Sequence, residues 1–170
     1  MLTNDDMLLR PYTEGDRGAL VRLADNINVS KYLQDRFPSP YTLESADRWI
    51  ALVGLEEEPL NLAIEWQGQL VGGIGSTRLF DIHGQTAEIG YWLGEPFWGK
   101  GLATRAVRLF ADYAFGQLRF LRLQAMMMAE NMKSARVLEK NGFIFEGRLR
   151  QHITKRGRIH DALLYAKTKQ

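Results

Sequence analysis

The residue types and spacings that could do chemistry lie between Glu88 and Ser134. Gly94, Gly99 and Gly101 break an apolar run, Lys100 stands between the last two, and an amphipathic segment begins directly after them. Glycine lets the main chain pass close to a ligand. The first N–H groups of a helix have no internal partner, and the helix dipole adds positive potential there. A glycine-rich entry to a helix is therefore an anion site suited to phosphate. Upstream, Glu88 sits in Ala87-Glu-Ile-Gly-Tyr-Trp-Leu93, a run with no other charge. A carboxylate among apolar neighbours loses solvation, which moves its pKa up towards the range of a general base. A structural hydrogen bond or ion pair is the alternative role for it. Asn131 and Ser134 open a later helical segment, where an asparagine suits the N-cap.

These residues need elements to place them. Leu8 to Tyr12 is a first strand, and Glu14 to Asn26 is an amphipathic helix with Ala19, Leu20, Leu23 and Ala24 at helical spacing. Thr42 caps a helix reaching about Val53. Asn61–Trp66 and Leu70 to Leu79, joined at Gln67-Gly68, form an antiparallel hairpin. Thr86 to Leu93 returns as a strand whose alternation puts Glu88, Gly90 and Trp92 on one face. Ala103 to Phe115 is a helix, Leu121 to Met128 a fully apolar central strand, and Asn131 to Lys140 a helix closed by Asn141-Gly142. Phe143–Leu149 and Ile159–Lys167 are the last strands, around a turn at Arg156-Gly157. The order β-α-α-β-β-β-α-β-α-β-β gives an α/β (α+β) fold, a mixed sheet with helices on both faces.

Bulk properties narrow the function. A chain of 170 residues, 45% hydrophobic, suits one domain over residues 1–170. A net charge of +2, with 22 Lys and Arg spread along the chain, gives no concentrated basic face for nucleic acid. There is no cysteine, which removes disulfides, thiolate metal sites and a catalytic thiol. His83, His152 and His160 lack metal-ligand spacing, so no metal is expected. No apolar run reaches membrane-spanning length and nothing at the N-terminus marks secretion, so a cytoplasmic protein is expected. An exposed strand edge admits a homodimer as well as a monomer.

Gly94-x4-Gly99-Lys100-Gly101 is one residue from a Walker A loop, but that motif needs Ser or Thr where Gly101 stands, and an antiparallel hairpin precedes it here. Gly99-Lys-Gly-Leu-Ala103 after the Glu-Ile-Gly-Tyr-Trp-Leu strand, followed by Asn131-Met-Lys-Ser134 and Leu138-Glu-Lys-Asn-Gly-Phe143, resembles the GCN5-related N-acetyltransferase (GNAT) superfamily. The resemblance runs from about Met7 to about Tyr165 and is strongest to the RimJ/RimL-like, ribosomal-protein branch, which also has counterparts of Pro40-Tyr-Thr42 and Arg158-Ile-His-Asp161.

The resemblance implies a mostly antiparallel sheet splayed between the fourth and fifth of the strands read above. It implies acetyl-CoA as co-substrate, its pyrophosphate held by main-chain amides around Trp98, Gly99, Lys100, Gly101, Leu102, Ala103 and Thr104. Trp98 departs from the family pattern, which has Gln or Arg at that place. The strand edge at Trp92 and Leu93 would pair with the pantetheine arm, the Leu93 N–H facing the thioester oxygen. Asn131 would touch pantetheine while capping its helix, and Ser134 would donate a proton to the leaving thiolate. Glu88 would be the base, through water. Without cysteine, direct attack by the amine in a ternary complex is the simple route. The acceptor is a primary amine, a protein N-terminus or else a polyamine, an aminoglycoside or an amino-acid derivative. The loops at Asp35–Pro38 and Phe80–His83 mix acid, base and aromatic, which speaks against a polycation site. A CoA-binding sensor without chemistry would use the same glycine loop.

Overall fold

The computed structural model describes residues 1–169. Strands β1 (Leu2–Asn4) and β2 (Met7–Arg10) lead to helices α1 (Arg17–Ala24), α2 (Ile27–Ser30) and α3 (Leu43–Val53). The hairpin β3 (Asn61–Trp66) and β4 (Gln69–Arg78) and the strand β5 (Thr86–Leu93) follow. Helix α4 (Leu102–Gly116), strand β6 (Arg122–Met128), helix α5 (Met132–Lys140) and the ribbon β7 (Ile144–Lys155) and β8 (Arg158–Thr168) complete the chain. The strands form one sheet in the order β1-β2-β3-β4-β5-β6-β8-β7. Every neighbouring pair is antiparallel except β5 and β6, which run parallel.

Helices cover both faces, because strand alternation gives the sheet two apolar sides. On one, Leu102, Ala106, Val107 and Phe110 of α4 and Ala135 and Leu138 of α5 pack on Ile74, Ile89 and Leu123. On the other, Leu20 and Ala24 of α1 and Ala46 of α3 pack with Tyr41 on Ala63 and Leu70, and Trp92 joins them. Thr42 caps α3 by accepting from the Ser45 N–H at 3.2 Å. Gly142, at φ +77°, takes the left-handed position just past α5.

The parallel pair decides where a ligand can enter. β5 and β6 are in register only over Thr86–Glu88 opposite Arg122–Gln124. Beyond Glu88 they separate, while β5 stays paired with β4 as far as Leu93. The splay is thus between the fourth and fifth strands of the sequence reading, which are β5 and β6 once the unread β1 is counted.

Three local expectations change. The helix read over Glu14–Asn26 breaks after Ala24, because the Asp25 carboxylate accepts the Tyr41 N–H at 3.0 Å and Asn26 caps a new helix, α2. β6 is not fully apolar: Leu123, Ala125 and Met127 are buried, whereas Arg122 turns outward to pair with Glu146. β7 runs on to Lys155 across irregular pairing between Leu149 and Ile153, with Gln151 at φ +53°. His160, one of the three histidines without metal-ligand spacing, lies 3.1 Å from Glu130.

Candidate active site

Helix α4 is entered through two glycines, Gly101 being its N-cap. Gly99 and Gly101 both sit at φ +76°, which side chains rarely adopt, and an added Cβ at either would meet only open space. The requirement is conformational, not steric. The first helical bond is from the Arg105 N–H to the Gly101 carbonyl, and the N–H groups of residues 99–104 have no main-chain acceptor among the described residues. Six consecutive donors at the positive end of a 15-residue helix make an anion cradle. α5 is tied to this entry by Asn141, whose amide donates to the carbonyls of Thr104 at 3.1 Å and Val137 at 2.8 Å.

The edge of β5 supplies the second element. The Gly94 N–H donates to the Val71 carbonyl at 2.9 Å. Antiparallel alternation from that bond turns the polar main-chain groups of Gly90 and Trp92 towards β4. Those of Tyr91 and Leu93 point the other way, into the gap left by β6. The free edge therefore consists of Tyr91 and the N–H of Leu93. The Trp92 main chain, expected to be part of it, is used by Gly73. Trp98 explains its own departure from the family pattern, since its indole Nε1–H donates to the Leu93 carbonyl at 2.8 Å. It fixes the strand end and keeps one polar donor where Gln or Arg is usual.

α5 brings the third element across the gap. Asn131 is its N-cap, with Oδ1 accepting from the Ser134 N–H at 3.4 Å. The Ser134 Oγ lies 2.7 Å from the Tyr91 hydroxyl oxygen, and the same phenol donates to the Ser134 carbonyl at 3.2 Å. Burial pushes the Tyr91 phenol up to about 12 despite the contact with Ser134, so it stays protonated at neutral pH.

These parts enclose a cavity of about 740 Å³, walled by Trp92, Leu93, Trp98, Gly99, Gly101, Leu102, Ala103, Thr104, Asn131 and Ser134 together with Tyr91. Lys31, Lys133, Arg136 and Lys140 reach the same wall and give it positive charge. The sequence offers Lys133 only within a motif, and Tyr91 as a further candidate base for which core packing is the competing reading. Two predicted residues do not join the wall. The Lys100 ammonium lies 5.1 Å from the Trp66 ring and 5.6 Å from that of Phe97, so only its main chain belongs to the cradle. Glu88 is half-buried at the point where β5 and β6 part, on the opposite face of β5 from Tyr91. Its expected apolar setting is corrected: its cross-strand neighbours are Thr77 and Gln124, because the apolar Ala87 and Ile89 occupy the other face. The Glu88 carboxylate has no ion-pair partner among the described residues. No group of three or more His, Asp or Glu able to hold a metal occurs among the described residues, and no described helix is long and apolar enough to cross a membrane.

Known proteins are similar to this chain in sequence and in fold. Residues 6–144 match the family described as Acetyltransferase (GNAT) domain. YjcK of Bacillus subtilis (strain 168), which carries the N-acetyltransferase name, is 48% identical over 87 residues, 49% of this chain and 48% of that protein. The spermidine N(1)-acetyltransferase of Escherichia coli (strain K12) is 29% identical over 157 residues, 91% of this chain and 82% of that one. Among solved structures, RimJ of Mycobacterium smegmatis in complex with CoA-disulfide has a TM-score of 0.84 at 27% identity, covering 95% of this chain and 81% of its own. The residues present fit an acyl-CoA: amides for the diphosphate, a free strand edge for the amide-bearing arm, and cations for the remaining phosphate charge. With this site and the match over residues 6–144, the chain belongs to the GNAT family of N-acetyltransferases, which take acetyl-CoA as co-substrate.

Proposed function

We propose that this chain works as one RimJ/RimL-like domain over residues 1–170, acetylating the N-terminal amine of a protein by direct attack in a ternary complex. The observation that carries this reading is the parting of β5 from β6, with phosphate-holding amides on one side and an unpaired carboxylate on the other. Bound acetyl-CoA supplies the acyl group as a thioester. The amides of residues 99–104 hold its diphosphate, with Trp98 and Asn131 bracing the pantetheine path. The Leu93 N–H donates to the carbonyl oxygen as negative charge develops there. Glu88 takes the proton of the incoming ammonium through a water, and Ser134 donates to the departing sulfur. A cytoplasmic location follows from the use of this metabolite.

A polyamine is the rival acceptor, since the relative from Escherichia coli bears that substrate in its name. A polycation needs several free carboxylates, and those near this cavity are engaged. Glu130 accepts from His160, Glu95 from Asn26 and Asn28, and Asp35 pairs with Lys155. Four cations line the wall besides. One free carboxylate suits one amine. The test is thiol release from acetyl-CoA with N-terminal peptides and with spermidine as acceptors, products being weighed by mass spectrometry. Acetylated peptides with spermidine untouched are expected. Turnover of spermidine alone would transfer the reading to polyamines, and CoA uptake with no acceptor ever modified would make the chain a sensor.

A further inference from the structure

We propose that Arg36 and Arg156 direct the chain to acceptor proteins that carry a carboxylate among their first few residues. The inference rests on the N-terminal-amine reading of the same site. It starts from a contrast among the arginines. Arg10, Arg17, Arg78, Arg105, Arg122 and Arg148 each meet an Asp or Glu of the chain within 3.0 Å. Arg36 and Arg156 meet no carboxylate among the described residues. Hydroxyl groups hold them instead. The Arg36 guanidinium donates to the Thr77 Oγ1 at 3.5 Å, and that of Arg156 to the Ser30 Oγ at 3.3 Å and the Ser39 Oγ at 3.5 Å. Asp35, next to Arg36 in sequence, is engaged by Lys155. A guanidinium offers five donors in a planar fork that matches a carboxylate. Hydroxyl contacts orient that fork without cancelling its charge.

The placement of the two arginines follows the path of an acceptor. Thr77 stands directly opposite Glu88 in the pairing of β4 with β5, and directly opposed residues turn their side chains to one face. Arg36 therefore lies on the face of the carboxylate that takes the amine's proton in the reading above. Its loop is seated on the same face, where the Phe37 ring packs 5.5 Å from that of Trp92, and Tyr32 and Leu33 reach the cavity wall. Arg156 lies further out, at the tip of the ribbon that Lys155 fastens to this loop. Its backbone adds a separate sign. Arg156 and Gly157, at φ +51° and +73°, form the two-residue turn between the paired Lys155 and Arg158. Such turns favour Asn-Gly, because a positive φ opposes most side chains. An arginine in that position carries a conformational cost, and such outliers collect where a side chain is used. An extended chain rises about 3.3 Å per residue. With its amine at Glu88, an acceptor brings its second or third residue to Arg36 and a later one to Arg156.

The experiment uses peptide acceptors amidated at the C-terminus, so that the varied side chains carry their only carboxylates. They differ in having Asp, Asn or Arg at the second, third or fourth position. Acetylation is followed by thiol release from acetyl-CoA, with products weighed by mass spectrometry. The wild type should favour Asp over Asn by about tenfold or more in kcat/KM, the scale of one hydrogen bond to a charged group, and should take Arg least. The difference should lie in KM, since neither arginine touches a reacting atom. It should shrink towards unity at ~1 M salt, where the Debye length is about 3 Å. Arg36→Gln should reduce the preference at the second and third positions to about twofold or less, and Arg156→Asn should do so at the fourth. Asparagine suits the turn better than arginine, so Arg156→Asn should keep its melting temperature while losing discrimination, a split that a structural role does not produce. Equal turnover of Asp and Asn peptides by the wild type, or discrimination that survives both substitutions, would overturn the inference and leave the N-terminal reading standing. Indifference among peptides, with an RNA oligonucleotide bound through the same two arginines, would assign them to nucleic acid instead. Acetylation of spermidine with no peptide modified would overturn both readings.

Discussion

Glu88 stands on β5 beside Thr77 and Gln124, on the face of the strand opposite Tyr91. In the base role proposed for it, Glu88 acts only in the transition state, so Glu88→Gln should cut turnover by about 10²–10⁴ near neutral pH. Acetyl-CoA affinity by calorimetry should be unchanged, and full turnover with the true acceptor would remove Glu88 from the mechanism. Asp16 carries a different consequence. Though burial works against it, hydrogen bonds from Arg10 and Thr13 hold its carboxyl below the usual value of 3.8. A folded pKa below the unfolded one gives stability that is present above the unfolded pKa and lost as pH falls through the folded one. Thermal stability should therefore drop on acidification below about pH 4, and Asp16→Asn should flatten that limb while costing roughly 2–3 kcal/mol at neutral pH, less than a wholly buried pair because Arg10 keeps Glu65. An unchanged acid limb would assign the loss to other carboxylates. At this scale the glycines and Asn131 were legible because spacing announces a helix entry and a cap, whereas Ser134 stood out only through the family resemblance. Tyr91 was legible only as a further candidate, because a tyrosine between Gly90 and Trp92 in a strand reads as packing until the register of α5 against β5 is known.

Helix α4 and the strand before it were legible as elements for the same reason that they work. Glycines at fixed spacing leave few conformations for the turn, and an amphipathic run of 15 residues has few places to go. β1 was not legible, being three residues held by pairing with β2 and by Arg105, which donates to the Asn4 carbonyl at 2.9 Å. β7 was cut short in the reading because Arg150–His152 is polar on an edge strand, where alternation carries no core signal. The α4 entry makes a sharp prediction. Gly101→Ala introduces no clash but opposes a left-handed conformation, at about 1–2 kcal/mol. If the chain relieves that strain by turning the amides, CoA affinity should fall about tenfold or more, with only a small drop in melting temperature. Unaltered affinity would mean that the amides of Leu102 to Thr104 do not hold the ligand.

Across the molecule, the tip of the β7–β8 ribbon reaches over the acceptor-side loops. The Lys155 ammonium, 8% exposed as a residue, meets Asp35 at 2.5 Å, and Arg156 donates to Ser30 and Ser39. Glu95 is held below its ordinary range by Asn26 and Asn28, which fastens α2 to the bend before α4. The walls are thus anchored from both ends of the chain, and the part left open is the sheet itself. A row of strand donors and acceptors facing a wedge of solvent is cohesion left unmade, and a guest that fills the wedge completes the sheet. Folding and loading should then be linked: CoA at a hundred times its dissociation constant adds about 2.7 kcal/mol to the native state. The melting temperature should climb with the logarithm of CoA concentration, while a nucleotide lacking the pantetheine arm leaves most of that rise unrealised. Equal stabilisation by both would mean that the phosphates alone do the holding and that the wedge stays wet.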